Sequence, residues 1–243
     1  MQRYTDTGRA TLVPLMTEAG TDRIRNVDLE VTPHLLISGY SGWGATSALR
    51  LLAVHAARNG MEVQVLTPKR VGFTGLDGAE GIRVHRDPDA IAQAVTDFTA
   101  ELDAEILRRD AAGIFDVTAR RLLVVDGLDR LRSTLAGTGA DRRPIPAALE
   151  DVALLGRVAG YHLAASASVT GVPFLPVALR DCSAVLTLGP TGNRVRRELV
   201  GAEPRTPGVP AGRGGGEFAD YDGPRPVRTV FVDESEARSL VTH

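Results

Sequence analysis

The sequence predicts an α/β domain with a mostly parallel sheet and helices on both faces. Short apolar runs alternate with segments of helical spacing along most of the chain. The first two runs enclose a glycine-rich turn and a helical segment, which is the pattern of a βαβ unit. A later apolar run ends in a single aspartate, Asp126. Alternation of this kind is typical of a parallel sheet covered on both sides.

Composition limits the classes of function. A chain of 243 residues is long enough for one well-buried domain and short for two. The net charge of -2 gives no overall basic field for nucleic acid, so contact with DNA would need a local patch or an assembled ring. A single cysteine excludes an internal disulfide, and no Cys/His cluster suggests a metal site. The start of the chain resembles no signal peptide and no apolar run could span a bilayer, so we expect a cytoplasmic protein.

Each element has a local justification. Asn59 and Gly60 stop the first helix, Asp87 and Pro88 begin the second, and Asp233 caps a last short helix. The predicted strands are 34–39, 62–66, 82–85, 121–126, 161–166 and 184–188. The predicted longer helices are 45–58, 87–109 and 145–158. Loops are expected at 71–81, 133–143 and 204–216, with a C-terminal β-hairpin formed by 217–218 and 227–232. Residues 1–32 read as a lead-in with at most one edge hairpin.

The turn between the first strand and helix has the glycine spacing of a phosphate-binding loop, G-x-x-x-x-G-K-[ST]. Residues 39–46 read Gly-Tyr-Ser-Gly-Trp-Gly-Ala-Thr. Such a loop turns successive backbone N–H groups toward one point, and the helix N-terminus adds positive charge there. The candidate nucleotide-binding residues are Gly39, Gly42, Trp43, Gly44, Ala45, Thr46 and Ser47.

Two positions in this loop depart from the motif. Ala45 stands where the phosphate-binding lysine belongs, and it can neither neutralise phosphates nor follow charge into a transition state. Trp43 puts a large ring where small residues usually stand, and we expect it to pack or to occlude the cavity. Lys69, the sole lysine, follows the second strand and would reach this site only by an unusual path.

The strand at 121–126 supplies a second motif. An apolar strand with a terminal aspartate is the Walker B pattern, in which the carboxylate helps to hold Mg²⁺. Thr46 and Asp126 would therefore be the remnant of a magnesium site. The next residue is Gly127 instead of the glutamate that polarises the attacking water, and Asp129 would point elsewhere. A strand-end turn former remains the alternative interpretation of Asp126.

Several segments together resemble the motor domain of the FtsK/SpoIIIE/HerA family. Residues 33–39 look like its strand into Walker A, and Thr67-Pro68-Lys69 looks like its strand-end "DPK". Residues 156–163 look like its "GRAAGIHL" segment, and residues 210–214 like its "PGRG" turn. The resemblance covers roughly residues 20 to 241. It implies a RecA-like P-loop NTPase fold over residues 33–243, with ATP and Mg²⁺ as ligands, which we expect to bind weakly at most.

The departures from that family fall on catalytic positions. Besides Ala45 and Gly127, the segment 166–169 reads Ser-Ala-Ser-Val where the family has Thr-Gln-Arg-Pro with a polar sensor. An intact scaffold with three altered catalytic positions is the pattern of a pseudo-ATPase, so we do not expect ATP hydrolysis. Arg157 matches a family arginine near the subunit boundary, where it would act in trans or form a structural salt bridge.

Three functions follow from this interpretation. The first is a degenerate FtsK/SpoIIIE-like subunit with a structural, regulatory or binding role in DNA translocation or transfer, assembled with itself or with an active homologue. The second is a substrate-binding module like the degenerate ATPases of the type VII secretion motor EccC, which Val125-Asp126-Gly127 and the turn at 210–214 also resemble. The third is an active DNA-dependent ATPase with unorthodox site residues.

Overall fold

One mixed sheet organises the chain. The computed structural model describes residues 4–114, 121–135, 145–201 and 207–241. Within them, ten strands pair in the order β2-β1-β10-β9-β8-β3-β7-β6-β4-β5. Their bounds are β1 Leu12–Glu18, β2 Ile24–Asp28, β3 His34–Gly39, β4 Glu62–Leu66, β5 Ile82–His85, β6 Arg121–Asp126, β7 Tyr161–Ser168, β8 Ser183–Leu188, β9 Gly215–Asp220 and β10 Gly223–Thr229. The six strands from β8 to β5 are parallel, and the four beyond them are antiparallel.

Helices cover both faces of this sheet, as predicted. They are α1 Ala45–Arg58, α2 Pro88–Ala112, α3 Leu128–Leu135, α4 Ile145–Ala159, α5 Val177–Asp181, α6 Asn193–Val200 and α7 Glu234–Val241. The apolar side chains of α1 and α7 join one core, and those of α2 to α6 join the core on the opposite face. The mostly parallel α/β architecture is confirmed.

The central strand β3 explains why this part of the sequence reads as an uninterrupted apolar run. All six of its residues are buried, because β7 and β8 flank it and helices cover it on both sides. β7 lies between β3 and β6, so the carboxyl ends of these parallel strands meet at one edge. Ligands of open α/β sheets bind at that edge.

The N-terminal segment is part of the same sheet. β1 and β2 form an antiparallel hairpin, and β1 pairs with β10. Val13, Leu15 and Met16 are fully buried in the core that α1 covers. The closing hairpin is β9–β10, and it begins at Gly215 and ends at Thr229, whereas the sequence placed its strands at 217–218 and 227–232.

Three helices, α3, α5 and α6, were not expected from the sequence. α3 begins after Gly127 and occupies residues 133–135, where the sequence predicted a loop. For α3 the reason is burial: Leu128 and Leu131, one helical turn apart, lie in the core on the face opposite α1, and burying both side chains on one side favours a helix over a loop. The rest of that expected loop, 136–143, lies outside the described residues, as do residues 204–206 of the later one. No helix among the described residues is long and apolar enough to cross a membrane.

Candidate functional site

The glycine-rich turn adopts the geometry expected of a phosphate loop. It connects β3 to α1, and Gly42 and Gly44 have φ values of 81° and 108°, which residues with a side chain rarely adopt. The first hydrogen bond of the α1 helix is donated by the N–H of Ala48 to the carbonyl of Gly44. The N–H groups of Gly44, Ala45 and Thr46 donate to no other described residue. They remain available to an anion in front of the helix.

Thr46 and Asp126 lie together, as the motifs predict. The Thr46 hydroxyl donates to Oδ1 of Asp126 at 2.9 Å, although 80 positions separate them along the chain. Ser47, the next residue, accepts a hydrogen bond from Arg50 at 2.9 Å. Ala45 contributes no polar group and packs against the core.

Asp126 is completely buried, and several donors satisfy its carboxylate. Oδ1 accepts from the hydroxyls of Thr46 and Ser166 and from the ammonium of Lys69, and Oδ2 accepts from the hydroxyl of Thr67 at 3.3 Å. A buried carboxylate needs this degree of compensation. Removing one partner of a buried ion pair typically costs about 3–5 kcal/mol, because the other charge is left uncompensated. The carboxylate is thus already engaged within the chain.

Lys69 reaches the site after all, contrary to the expectation that its path would be unusual. Its Nζ lies 2.8 Å from Oδ1 of Asp126 and 3.1 Å from Oγ1 of Thr46. β4 and β6 are neighbours in the sheet, so the residues that follow β4 lie beside the end of β6. Sequence reasoning missed this contact because the strand order was unknown, although the "DPK"-like segment was the signal.

The loop that carries Lys69 is held over the start of α1. The Gly72 N–H donates to Oε1 of Glu234 at 2.8 Å, and its carbonyl accepts from Arg50 at 2.7 Å. Arg50 is itself buried and also donates to the carbonyl of Val232 at 2.6 Å. A Cβ at Gly72 would lie 2.6 Å from the Thr46 methyl group, so the two segments are in close contact.

The residue after Asp126 cannot easily be acidic. Gly127 has a φ of 92°, a region in which a side chain is strained, and its N–H donates to the Ser166 hydroxyl at 2.9 Å. Asp129 points away, as expected, and its carboxylate accepts from the backbone N–H and the hydroxyl of Ser168. Position 127 therefore provides no carboxylate beside Asp126 that could polarise water.

Trp43 packs between two turns. Its ring lies against Gly189, just after β8, and its carbonyl accepts from the N–H of Gly214 at 3.1 Å. Gly214 belongs to the turn that resembles "PGRG". These contacts agree with the packing role expected of Trp43, and they tie the phosphate loop to both turns.

Arg157 is not part of this cluster. It is exposed near the end of α4 and donates to the carbonyl of Glu30 at 3.4 Å, just ahead of β3. That position is at the amino ends of the parallel strands, opposite the edge that carries the phosphate loop. The structure therefore does not bring Arg157 to the Thr46–Asp126 cluster of its own chain.

Comparison with known proteins agrees with this architecture. No protein-family model matches the sequence, and no curated protein matches it. Solved structures do match, and they define a class: the chain has the fold of the P-loop ATPases of the FtsK/HerA type. The predicted RecA-like P-loop fold is thereby confirmed.

Three particular structures illustrate the likeness. The pCW3 conjugation coupling protein TcpA, a monomer form with ATPγS, has a TM-score of 0.81 at 14% identity, over 100% of this chain and 74% of that chain. EssC (ATPases 2 and 3) from Geobacillus thermodenitrificans has a TM-score of 0.76 at 17% identity, over 95% of this chain and 43% of that chain. Thermomonospora curvata EccC (ATPases 2 and 3), in complex with a signal sequence peptide, has a TM-score of 0.72 at 17% identity, over 94% of this chain and 42% of that chain.

The chain covers only part of each of these structures. It spans less than half of the EssC and EccC chains named above, and 26% of the EccC cytoplasmic domain. At these identities the likeness concerns the fold, and function depends on the site.

Proposed function

We propose that this chain is a catalytically degenerate FtsK/SpoIIIE-like module, a pseudo-ATPase that organises a partner protein and does not act as a motor. One observation carries the proposal: the Asp126 carboxylate is engaged by Lys69 within the chain, and the neighbouring position is Gly127. Hydrolysis needs a charge that follows the phosphates and a group that orients water. Ala45 supplies no such charge and Gly127 no such group, while the Lys69 ammonium is paired with Asp126.

An exposed apolar surface on α4 supports a protein partner. Leu154, Leu155 and Val158 are 58%, 43% and 57% exposed, and Arg157 stands among them. Val31 is 54% exposed and follows Glu30, to which Arg157 donates. Apolar side chains grouped around an arginine are typical of protein interfaces. We propose that this surface contacts a second copy of the chain or an active homologue, with Arg157 facing the neighbour.

A second candidate function is recognition of a secreted protein. The EccC structure that shares the fold was determined with a signal sequence peptide, and the apolar surface on α4 would suit a peptide as well as a subunit. The net charge of -2 favours a protein ligand over DNA. In this case substrate peptides would bind to the isolated chain and DNA would not.

Hydrolysis is tested by ATP turnover of the purified chain, with and without DNA, alongside the Thr46→Ala and Asp126→Ala variants. We expect no turnover above the blank. Turnover that both variants abolish would contradict the proposal and indicate an active ATPase with unorthodox residues. Turnover that survives in both variants would come from a contaminant. Calorimetry with ATP and Mg²⁺, beside Ala45→Lys, then measures how much phosphate affinity the missing lysine costs; roughly 100-fold is expected.

Association is tested by sedimentation of the chain alone and mixed with an FtsK-like motor. Leu154→Glu should abolish the complex, because it places a charge in the apolar surface. Phe231→Glu is the matched control, since Phe231 is 47% exposed and lies between Val230 and Val232, which are buried in the core on the face opposite α4. Loss of association in both variants, or in neither, would contradict the assignment of the α4 surface.

A further inference from the structure

The position of Lys69 bears on the metal that this fold ordinarily holds. In P-loop NTPases the hydroxyl at the Thr46 position and the carboxylate at the end of the Walker B strand hold Mg²⁺. Here both oxygens are present and both contact one ammonium, at 3.1 Å from Thr46 and 2.8 Å from Asp126. Mg²⁺ requires oxygen ligands at about 2.1 Å in octahedral geometry. A cation between these oxygens would overlap the Lys69 Nζ and repel its charge.

Lys69 is held in this position from several directions. Its backbone N–H donates to the Thr67 hydroxyl at 3.2 Å, so the turn after β4 is closed locally. Three residues later, Gly72 is bonded to Arg50 and Glu234. Gly127 packs beside the lysine, since a Cβ there would lie 3.8 Å from Lys69 Cε, in ordinary van der Waals contact. The ammonium is thus part of a built arrangement.

Thr67 makes the arrangement electrostatically consistent. It stands where the resembling family segment has an aspartate, and its hydroxyl donates to Oδ2 of Asp126. A second carboxylate there would leave one negative charge uncompensated and would favour a divalent ion. With Thr67 in place, one ammonium balances one buried carboxylate. The residues present therefore do not fit Mg²⁺.

We propose that the Lys69 ammonium permanently takes the place of the divalent cation between Thr46 and Asp126, so that this phosphate loop operates without a metal. The inference deepens the proposed pseudo-ATPase function and rests on it. It also specifies the ligand class: any phosphate group at the loop amides meets a fixed monovalent cation that belongs to the protein.

The test is direct titration with Mn²⁺, a paramagnetic substitute for Mg²⁺, followed by electron paramagnetic resonance of the free ion. The wild-type chain should show no site tighter than about 1 mM, whereas Lys69→Ala should gain one site at least tenfold tighter. Lys69→Arg retains a cation and should exclude Mn²⁺ as the wild type does. The double variant Lys69→Ala with Asp126→Asn should lose the gained site, because the carboxylate is absent.

Thermal unfolding gives an independent readout. Mn²⁺ should raise the Tm of Lys69→Ala in a saturable way and leave the wild-type Tm unchanged, because a ligand stabilises only a folded state that binds it. Lys69→Gln, which retains the volume of the side chain, replaces Lys69→Ala if that variant does not fold. Equal Mn²⁺ binding by wild type and Lys69→Ala, or no gained site in either substitution, overturns the inference. Neither outcome depends on the turnover assay, so the proposed function is judged separately.

Discussion

The indole ring of Trp43 lies directly against Gly189, so closely that a Cβ at Gly189 would be 2.7 Å from Cδ2 of the ring. This contact ties the phosphate loop after β3 to the end of β8, two segments that are distant in sequence. Gly189 also has a φ of 88°. Small size and backbone freedom are therefore both required at this position.

We expect Gly189→Ala to displace the ring and to lower the free energy of unfolding by about 2–4 kcal/mol, from left-handed strain and overpacking together. Urea unfolding measures the loss, and the emission of the single tryptophan reports the displacement. Gly20→Ala is the control, because Gly20 has a φ of 76° with nothing within 4 Å of the added Cβ. Equal losses in the two variants would show that the contact with Trp43 contributes nothing.

A buried ion pair joins α6 to β9. Nε and Nη2 of Arg196 donate to the two carboxylate oxygens of Glu217 at 2.6 and 2.8 Å, and both side chains are almost inaccessible. Arg196→Met should cost about 3–5 kcal/mol, because it leaves a buried carboxylate without its cation. The double variant Arg196→Met with Glu217→Leu should recover most of that loss, since no charge is left behind.

Urea unfolding of the single and double variants measures this coupling. Arg9→Met provides the comparison, because Arg9 pairs with Glu30 at the surface with side chains 50% and 58% exposed, and should cost no more than about 1 kcal/mol. A double variant that is no more stable than Arg196→Met would contradict the explanation.

Buried histidines should make the protein sensitive to acid. Burial lowers the pKa of His34 to about 3, and its ring accepts from the N–H of Leu163 and donates to the carbonyl of Ala153. Burial also lowers the pKa of His55 and His162. Because these folded-state pKa values lie below the unfolded value near 6.5, the unfolded chain binds more protons and stability is lost as pH falls from 6.5 toward 3.

His34 contributes at most about 1.4 kcal/mol of unfolding free energy per pH unit within that window. His34→Gln should therefore reduce the slope of unfolding free energy against pH, whatever it does to stability at pH 7. Urea unfolding at pH 7, 6, 5 and 4 measures both quantities. An unchanged slope would mean that His34 is already protonated in the folded chain, or does not titrate in this range.

The loop that positions Lys69 should open when its anchor on α7 is removed. Glu234→Ala removes the acceptor of the Gly72 N–H and should accelerate hydrogen exchange at that amide by about tenfold or more, the equivalent of about 1–2 kcal/mol. Glu236→Ala, on the exposed side of the same helix, controls for helix propensity. Equal acceleration in both variants would attribute the effect to α7 as a whole.

Much of this protein was determined by local sequence alone. Apolar patterns placed β3, α1 and β4 correctly, because all of β3 and nine consecutive residues of α1, 48–56, are buried. The glycines at 42 and 44 predicted the loop, since positive φ excludes most other residues. Asp126 followed from its place at a strand end.

Tertiary structure decided which of these residues meet. Lys69 faces Asp126 only because β4 pairs with β6, and Trp43 meets Gly189 only because β8 lies beside β3. The sequence allowed an edge hairpin within residues 1–32 but treated them as a lead-in, because nothing local shows that β1 pairs with β10. Strand order depends on the burial of whole faces and is not encoded within any one segment. The cation beside Asp126 could therefore be located only in the folded chain.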